Sequence, residues 1–595
     1  MKTIGLFILV MISFGAPASE QGIHWLAWSQ AAFDKARQLD RPMLINVGHE
    51  GCMACRWMKN DTFSDPGIIE LINANFVAIQ VDSEMQPDIG ERYSDWAWPA
   101  TAFNRPDGTQ VLAIRGNRSP EKFRTILNEI IKGHRQGTLE PDRLAPYGAP
   151  SKPRDTPLTT IRDQVRTQLD DSFDDKLGGW GGTKILEYAE PILHYAVRSH
   201  LENDKLAQQR FLKTANGFMR HLDAVWGGVF YESLSNWGDL ILEKRLETQA
   251  AALQLFATAY KQTEEARFSK AMKRIHHYLN NHLHSESGLF FASQQANLPN
   301  LPEDMSLTDY YRLDDKARRA VGIPSIDRSL YTDLNARTIS GLVSAYVTTD
   351  NADYLVTAIH TADALINSRK LKDGSFVQFK QNAEFRHKER IHTIQESNST
   401  YLRPHAYLGL AFLDLYQASA DDRWLREAKG IAKILNGLQD DKLGGFYATK
   451  NQLLPRKPLE DNAVAARFLY LLGVLVKNEE YGIAAERAIR ASAARHIVRR
   501  EGRITGNLAL TTELLTAGYV EFSIVGNPSD PIARALFESA RQIYEPRKVL
   551  HYELAGRYPE RDRPALYICS AQACSVPIYN VPRVAIEAQK FRNKL

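Results

Sequence analysis

A heptapeptide that occurs twice decides how most of this chain is organised: DDKLGGW at residues 174–180 and DDKLGGF at residues 440–446. Related turns that join glycine to an aromatic residue recur between the two copies, at 226–233, 287–293 and 373–379. The stretches between the turns, such as ETQAAALQLFATAYKQ and AYLGLAFLDLYQ, have helical periodicity. The pattern predicts five or six helical hairpins within residues 158–515, with a period of about 50 to 85 residues.

Hairpins of this kind either close into an α/α toroid or stack as an open solenoid. Neither end of the repeat carries an evident polar capping unit, which favours closure. The Gly-aromatic turns are interpreted as architecture, because glycine supplies positive φ and the aromatic ring packs between hairpins. The sequence contains no P-loop, dinucleotide-binding fingerprint or HExxH motif.

The composition is that of a folded protein with several domains. The chain has 595 residues, of which 44% are hydrophobic and 24% charged. Lys and Arg number 74 against 70 Asp and Glu, and the resulting net charge of +4 is too small to indicate a nucleic acid partner.

The first residues, MKTIGLFILVMISFGAPASE, have the pattern of an export signal. An apolar run from Ile4 to Phe14 precedes the cleavage pattern Ala16-Pro17-Ala18. The run is shorter than a membrane span, and no later segment has transmembrane character. We expect a signal peptide at 1–18 and a periplasmic or secreted protein.

Residues 22–136 alternate between strand and helix patterns and predict an α/β domain. A proline-rich stretch without periodicity, 137–157, predicts a linker. After the helical region 158–515, residues 516–595 return to strand and helix patterns and predict a small α/β subdomain.

A CxxC motif follows the apolar strand PMLINVG at the start of a helical segment. A thiolate at a helix N-terminus is stabilised by unpaired N–H groups, so Cys52 is expected to attack and Cys55 to resolve. An inert structural disulfide is the alternative. Zinc is disfavoured because the nearest further ligand, His49, is poorly spaced, and we expect neither a metal nor a cofactor.

Three carboxylates near the middle of the chain are candidates for acid–base chemistry. Asp239, Glu243 and Glu247 are spaced by four residues, which places them on one face of a predicted helix. Trp237 beside them offers a stacking surface for a sugar, and glycoside cleavage requires two carboxyl groups. The favoured alternative is a solvated face that pairs with the neighbouring basic residues.

His405 opens another predicted helix, beside Tyr401 and Arg403. Proton transfer of the epimerase type uses a histidine, which makes His405 a catalytic candidate. A capping or core histidine with satisfied hydrogen bonds is the favoured interpretation.

The N-terminal segment resembles the thioredoxin-like DUF255 domain of the YyaL and spermatogenesis-associated protein 20 family. The resemblance rests on the CxxC, the strand FVAIQVDSE, the step Trp98-Pro99 and the PDG turn. It implies a cis-proline at Pro99 beside the dithiol. The family commonly has histidine after the second cysteine, where this chain has Arg56, a permanent cation that still favours the thiolate.

The resemblance continues through FDDKLGGWGGTK, WGGVFYES, RWLREAKGIAKIL and LGGFYAT, and it covers nearly the whole mature chain. It implies an (α/α)6 toroid of the six-hairpin glycosidase or N-acylglucosamine 2-epimerase type. Asp327 and Asn335 fit a family marker in the middle of the toroid. Ionisable family positions are replaced here by Ile241, Thr248 and Pro404, and Leu334 stands where the family has Trp.

A second cysteine pair, Cys569 and Cys574, follows a strand near the end of the chain, where the family has a similar element. In an oxidising compartment the two thiols are expected to form a local disulfide. A structural bond is the favoured interpretation, and redox exchange with Cys52 is the alternative.

Three functions are compatible with the sequence. The first is an exported thiol–disulfide oxidoreductase whose toroid recognises a protein client, a redox partner or a carbohydrate. The second is a carbohydrate-active toroid with an accessory thioredoxin-like domain. The third is a non-catalytic binding protein. The placed CxxC favours the first.

Overall fold

The computed structural model describes residues 22–593 apart from 144–154, 186–188, 297, 299, 381–398, 451–452, 503–504, 554–556 and 559–561. By their contacts, residues fall into two compact units. Over the described residues, the first comprises 22–46, 54–80 and 98–143, and the second lies within 47–53, 81–97 and 155–593. The signal peptide and much of the linker expected from the sequence lie outside the described residues.

The N-terminal α/β fold is a four-stranded sheet in the order β2-β1-β3-β4 with five helices. Its elements are α1 (Gln30–Leu39), β1 (Met43–Gly48), α2 (Met53–Trp57), α3 (Pro66–Asn75), β2 (Val77–Asp82), α4 (Pro87–Tyr93), β3 (Ala100–Asn104), β4 (Gln110–Arg115) and α5 (Pro120–Gln136). Strands β1 and β2 are buried along their whole length, as a strand covered on both faces requires. The antiparallel hairpin β3–β4 turns at Asp107-Gly108.

Fifteen helices, interrupted by six short strands, make up the body of the second unit over the described residues. The helices are α6 (Leu158–Asp171), α7 (Glu190–Glu202), α8 (Lys205–Phe218), α9 (Leu246–Thr263), α10 (Ala266–Tyr278), α11 (Leu307–Arg312), α12 (Asp315–Val321), α13 (Thr332–Thr349), α14 (Ala352–Arg369), α15 (Leu402–Ser419), α16 (Asp422–Asn436), α17 (Leu459–Val476), α18 (Glu479–Ser492), α19 (Arg495–Glu501) and α20 (Gly506–Ala517). The strands are β5 (Lys184–Ile185), β6 (Glu232–Ser235), β7 (Gly238–Ile241), β8 (Lys244–Arg245), β9 (Ser293–Gln294) and β10 (Ile326–Asp327).

Six of these helices form a closed inner ring. Each packs on the next in the order α7, α9, α13, α15, α17 and α20, and α20 packs back on α7. An outer helix lies against each of them: α8, α10, α14, α16, α18 and, for α20, the first helix α6. The arrangement is an (α/α)6 toroid, so the expected fold class is confirmed. The domain bounds stay predictions.

A buried polar side chain at the fourth position of an inner helix holds each of four Gly-aromatic turns. In Asn335 the side-chain amide accepts from Phe290 N at 2.8 Å and donates to the carbonyl oxygens of Phe290 and Tyr331. Asn462 does the same with the backbone of Phe446 and the carbonyl of Pro458. We call these residues turn straps; the others are Gln249 on Val229 and His405 on Phe376.

Two of the turns also contain a buried aspartate–lysine pair. Lys244 donates to Asp223 at 2.7 Å and to the carbonyl of Gly227, and Lys457 donates to Asp440 at 2.8 Å. Asp440 belongs to the second copy of the repeated heptapeptide, and in the first copy Asp174 lies 3.5 Å from Lys184. In both copies, the first aspartate of the heptapeptide therefore pairs with a lysine that precedes an inner helix.

The C-terminal subdomain is a three-stranded sheet in the order β12-β11-β13 with two helices. Its elements are β11 (Val520–Val525), α21 (Pro531–Arg541), β12 (Lys548–Glu553), β13 (Ala565–Cys569) and α22 (Val584–Arg592). A disulfide joins Cys569, at the end of β13, to Cys574. None of the described helices combines the length and apolar character needed to cross a bilayer.

We expect Asn335→Ala to destabilise the helical unit by about 2–4 kcal/mol, because it leaves the buried N–H and C=O of Phe290 without partners. Urea or thermal unfolding followed by circular dichroism measures the loss. Asn280→Ala, which removes an exposed amide, is the matched control and should change stability by less than about 0.5 kcal/mol. Equal effects of the two changes would contradict the role of the strap.

Candidate functional site

Charged side chains from the first turns of the inner helices gather at one end of the toroid, which we call the toroid mouth. They are Glu247 in α9, Asp333 in α13, Arg403 in α15 and Asp461 in α17. Segment 81–97, which belongs to the same unit, contributes Glu84. Gln378 joins the parts: its amide donates to Asp333 at 2.6 Å and to the carbonyl of Glu84 at 2.9 Å.

Burial and repulsion between carboxylates dominate the electrostatics of the mouth. The pKa of Glu84 lies well above its usual range, first because of burial and then because Glu247 and Asp333 repel its charge. Burial also raises the pKa of Asp461, although Arg403 opposes this from 3.1 Å. A carboxyl group whose pKa is raised by burial and by neighbouring carboxylates is suited to acid–base chemistry.

The dithiol motif is oxidised and almost fully buried. Cys52 and Cys55 are disulfide-bonded and are 6% and 5% exposed. Cys52 directly precedes α2, which is the placement that stabilises a thiolate. The Trp98–Pro99 peptide bond is cis, as the resemblance implies.

The loop before the dithiol packs against the helical body. A Cβ atom built on Gly51 would lie 3.3 Å from Ser293 Oγ and 3.4 Å from Glu243 Oε1, so only glycine fits there without displacement. Glu243 is buried and pairs with Arg245 at 2.9 Å, just before α9 begins. All of these residues belong to the second unit. Arg245 also lies 4.0 Å from Glu247 of the toroid mouth, so Gly51 and the adjoining Cys52 lie beside the mouth.

The remaining residues predicted around the dithiol differ in exposure. His49 is buried, and its Nδ1 would lie 3.3 Å from a Cβ on Gly51. Arg56 in α2 is half-buried, and Trp98 is half-buried while Pro99 is buried.

Two interpretations of the acidic stretch are wrong. Asp239 lies in β7, not in a helix, because the chain reverses at Asn236-Trp237 with positive φ in a β6–β7 hairpin. Asp239, Glu243 and Glu247 therefore do not share a helical face. Trp237 is 6% exposed, packs on Phe218 and donates through Nε1 to the carbonyl of Leu177, so it offers no open stacking surface.

The other candidates predicted in the toroid are structural. His405 is fully buried, accepts from Phe376 N at 2.9 Å through Nε2 and lies 2.6 Å from the Tyr401 carbonyl through Nδ1. Burial lowers its pKa to about 4, and because both of its ring nitrogens are engaged by the backbone, His405 acts as a turn strap. Asn335 is a strap too. Asp327 is buried and accepts hydrogen bonds from the backbone and hydroxyl of Ser329.

Sequence reasoning missed Glu84, Asp333 and Asp461. A signal exists, because the inner helices α9, α13 and α15 all have a charged residue at their second position. This pattern can be recognised in the sequence only when the starts of the inner helices are aligned by the positions of their turn straps.

A separate group in the described residues has the spacing of metal ligands: Glu521, His551 and Glu553 in the C-terminal sheet. Glu521 already pairs with His551 and with Arg557, each at 2.7 Å; burial raises its pKa, but His551 and Lys477 outweigh this and hold the pKa at about 2. The side chains that could bind a metal are therefore already engaged in a cluster of ion pairs.

We expect Asp88→Asn to alter how stability depends on pH. Burial raises the pKa of Asp88, close to Arg92 in α4, to about 6, whereas the unfolded chain has a value near 3.8. Stability should therefore fall as pH rises through this window, and the asparagine variant should gain about 1–3 kcal/mol above pH 6 and nothing at pH 4. Thermal unfolding at pH 4 and pH 7 measures the gain.

The exposed Asp171→Asn serves as the control for that change and should show no such dependence. A gain that is equal at both pH values would contradict the assigned titration.

Comparisons with known proteins agree with the N-terminal fold and extend beyond it. Residues 14–136 match a family described as "Protein of unknown function, DUF255", of the thioredoxin DsbH type. Uncharacterized protein B0495.5 of Caenorhabditis elegans is 22% identical, with 96% of this chain aligned to 95% of that protein. Spermatogenesis-associated protein 20 of Rattus norvegicus is 23% identical, with 93% of this chain aligned to 88% of that protein.

Among solved structures, a D-mannose isomerase is similar over 61% of this chain and 100% of its own, with 13% identity and a TM-score of 0.46. A cellobiose 2-epimerase from Bacillus thermoamylovorans is similar over 56% of this chain and 86% of its own, with 12% identity and a TM-score of 0.43. The matches to the curated relatives span the α/β domain and the helical body together. This chain is therefore similar to spermatogenesis-associated protein 20 over 93% of its length.

Proposed function

We propose that this protein is an exported thiol–disulfide oxidoreductase whose Cys52–Cys55 dithiol acts on a group presented at the toroid mouth. The observation that carries the proposal is the packing of Gly51 against Ser293 and Glu243, which holds the dithiol loop at the helical body. A merely structural disulfide in the α/β domain needs no such neighbour.

The chemistry of the motif supports this role. Cys52 lies at the start of α2, where helix N–H groups stabilise a thiolate and lower its pKa. In the exchange reaction the Cys52 thiolate attacks a disulfide sulfur of the client, and one client thiolate leaves. Cys55 then attacks the mixed disulfide, which releases the second client thiol and leaves the Cys52–Cys55 bond oxidised.

The burial of Cys52 limits which client molecules can reach its sulfur. Because Cys52 is only 6% exposed, a folded protein surface does not reach its sulfur in this conformation. The proposal therefore favours a small disulfide or an extended chain segment as the reactant. The apolar run and cleavage pattern of the first residues support export, which would supply the oxidising compartment that the proposed chemistry uses.

We expect Cys52–Cys55 to be a reversible couple between about −270 and −120 mV, the range of dithiol catalysts. Glutathione redox buffers with mass-spectrometric mapping of all four cysteines measure it. Cys55→Ser should trap a mixed disulfide on Cys52, and Cys52→Ser is the matched control that traps none. A bond that stays closed below about −300 mV would make the disulfide structural and overturn the proposal.

The packing of the loop can be tested in the same assay. Gly51→Leu cannot fit against Ser293 and Glu243, so it should speed alkylation of reduced Cys52 by about 10-fold. Gly430→Leu is the matched control, because a side chain there meets open space. Unchanged alkylation in Gly51→Leu would remove the link between the dithiol and the toroid.

The carboxylates of the mouth favour a second candidate, acid–base chemistry on a carbohydrate. Burial and the nearby carboxylates of Glu247 and Asp333 raise the pKa of Glu84, and glycoside cleavage uses such a carboxyl group of raised pKa together with a second carboxylate. We expect Glu84→Gln and Glu247→Gln each to lower such an activity by at least about 100-fold. Release of reducing ends from a panel of oligosaccharides measures it, with exposed Glu202→Gln as the control. Turnover that survives both changes would reject the candidate.

A further inference from the structure

The second disulfide differs from the first in how its two cysteines are exposed. Cys569 ends β13 and is fully buried, whereas Cys574 lies on the exposed turn that follows the strand. Cys52 and Cys55 are both almost fully buried. A thiolate that arrives from solvent therefore reaches one sulfur of the second bond, Cys574 Sγ, and does not reach Cys569 Sγ beneath the surface.

The turn around Cys574 favours this approach. Residues 570–576 are Ser, Ala, Gln, Ala, Cys, Ser and Val, so no acidic side chain of the turn repels an incoming thiolate. Val576 is 72% exposed, and most of the other side chains in the turn are small. The bond also joins residues only five positions apart, and so short a loop gains little entropy from closure, which makes stability a weak reason for the bond.

The buried sulfur has a hydrogen-bond donor beside it. The hydroxyl of Tyr558 lies 3.3 Å from Cys569 Sγ and 3.2 Å from Ser523 Oγ. The Tyr558 ring stacks on Tyr567 with 4.3 Å between the ring centroids, which fixes the position of the hydroxyl. Burial raises the pKa of Tyr558, so the hydroxyl keeps its proton for donation.

The Tyr558 hydroxyl has one proton and two acceptors. In the disulfide neither sulfur is charged, and the oxygen of Ser523 is the better acceptor. When Cys569 leaves as a thiolate, its sulfur becomes a charged acceptor, and a charge-assisted hydrogen bond is roughly twice as strong as a neutral one. Tyr558 therefore stabilises the departing thiolate more than the intact bond, which is the condition for a faster reaction.

We propose that Cys569–Cys574 is a redox-active disulfide that reacts with a low-molecular-weight thiol at Cys574. The thiolate forms a bond to Cys574 Sγ, the protein disulfide breaks, and Cys569 leaves as a thiolate that accepts a hydrogen bond from Tyr558. A second thiolate then attacks the external sulfur of the mixed disulfide and releases the Cys574 thiolate. Two external thiols are oxidised to one disulfide, and the protein disulfide is reduced to two thiols. The site holds whether or not Cys52 turns over.

Reduced glutathione is the probe that tests the site on the full oxidised chain. Samples are quenched at early times with N-ethylmaleimide and mapped by peptide mass spectrometry, which follows each cysteine separately. We expect glutathione on Cys574 and maleimide on Cys569, because attack at the exposed sulfur releases the buried one. Glutathione mainly on Cys569, or neither label on this pair, would overturn the proposal.

Tyr558→Phe tests the hydrogen-bond donor. The change should slow formation of the Cys574 adduct by about 10-fold, because the departing thiolate loses its hydrogen bond. A purely structural role of the hydroxyl predicts the opposite sign, since a loosened subdomain exposes Cys569 and speeds the exchange. Tyr579 packs against the same buried cluster, so Tyr579→Phe is the matched control and should change the rate by less than about two-fold. Circular dichroism shows that the variants fold, and an adduct that forms as fast in Tyr558→Phe as in the unchanged chain would contradict the assigned leaving group.

Discussion

The backbone N–H and C=O groups of each Gly-aromatic turn are buried among the helices and must form hydrogen bonds there. The rest of the structure depends on which side chains provide these hydrogen bonds. Four inner helices place a strap, Gln249, Asn335, His405 or Asn462, at their fourth position. Leaving one of these buried N–H or C=O groups without a hydrogen bond would lower the free energy of unfolding by about as much as the strap contributes to it. The strap therefore fixes where each helix starts relative to the turn before it.

That register also builds the toroid mouth. Two residues along an α-helix are separated by about 200° around its axis, so a residue two positions before a strap points away from the turn. Glu247, Asp333 and Arg403 each stand two positions before a strap, and they meet at the mouth. The straps stabilise the fold, and the charged residues of the mouth stand two positions before them. The position of each strap therefore also fixes the position of a charged residue at the mouth.

Local patterns were enough for the hairpins and the position of the dithiol, whereas closure of the ring was implied by the family resemblance. They failed for the acidic stretch, since a spacing of four residues is the same whether the chain is helical or reverses at Trp237. Only the hairpin, with positive φ at Asn236 and Trp237, separates Asp239 from Glu247. The contact of Gly51 with Glu243 joins residues about 190 positions apart, which no periodicity reveals.

The pairing of α6 with α20 has a consequence for how the chain is made. The first helix of the body is the outer partner of the last inner helix, so the ring is sealed by elements at opposite ends of about 360 residues of chain. During synthesis α6 emerges early and keeps an apolar face uncovered until α20 has left the ribosome. Closure of so long a loop is slow compared with forming single hairpins, so the growing chain depends on protection from aggregation until its final turns are complete.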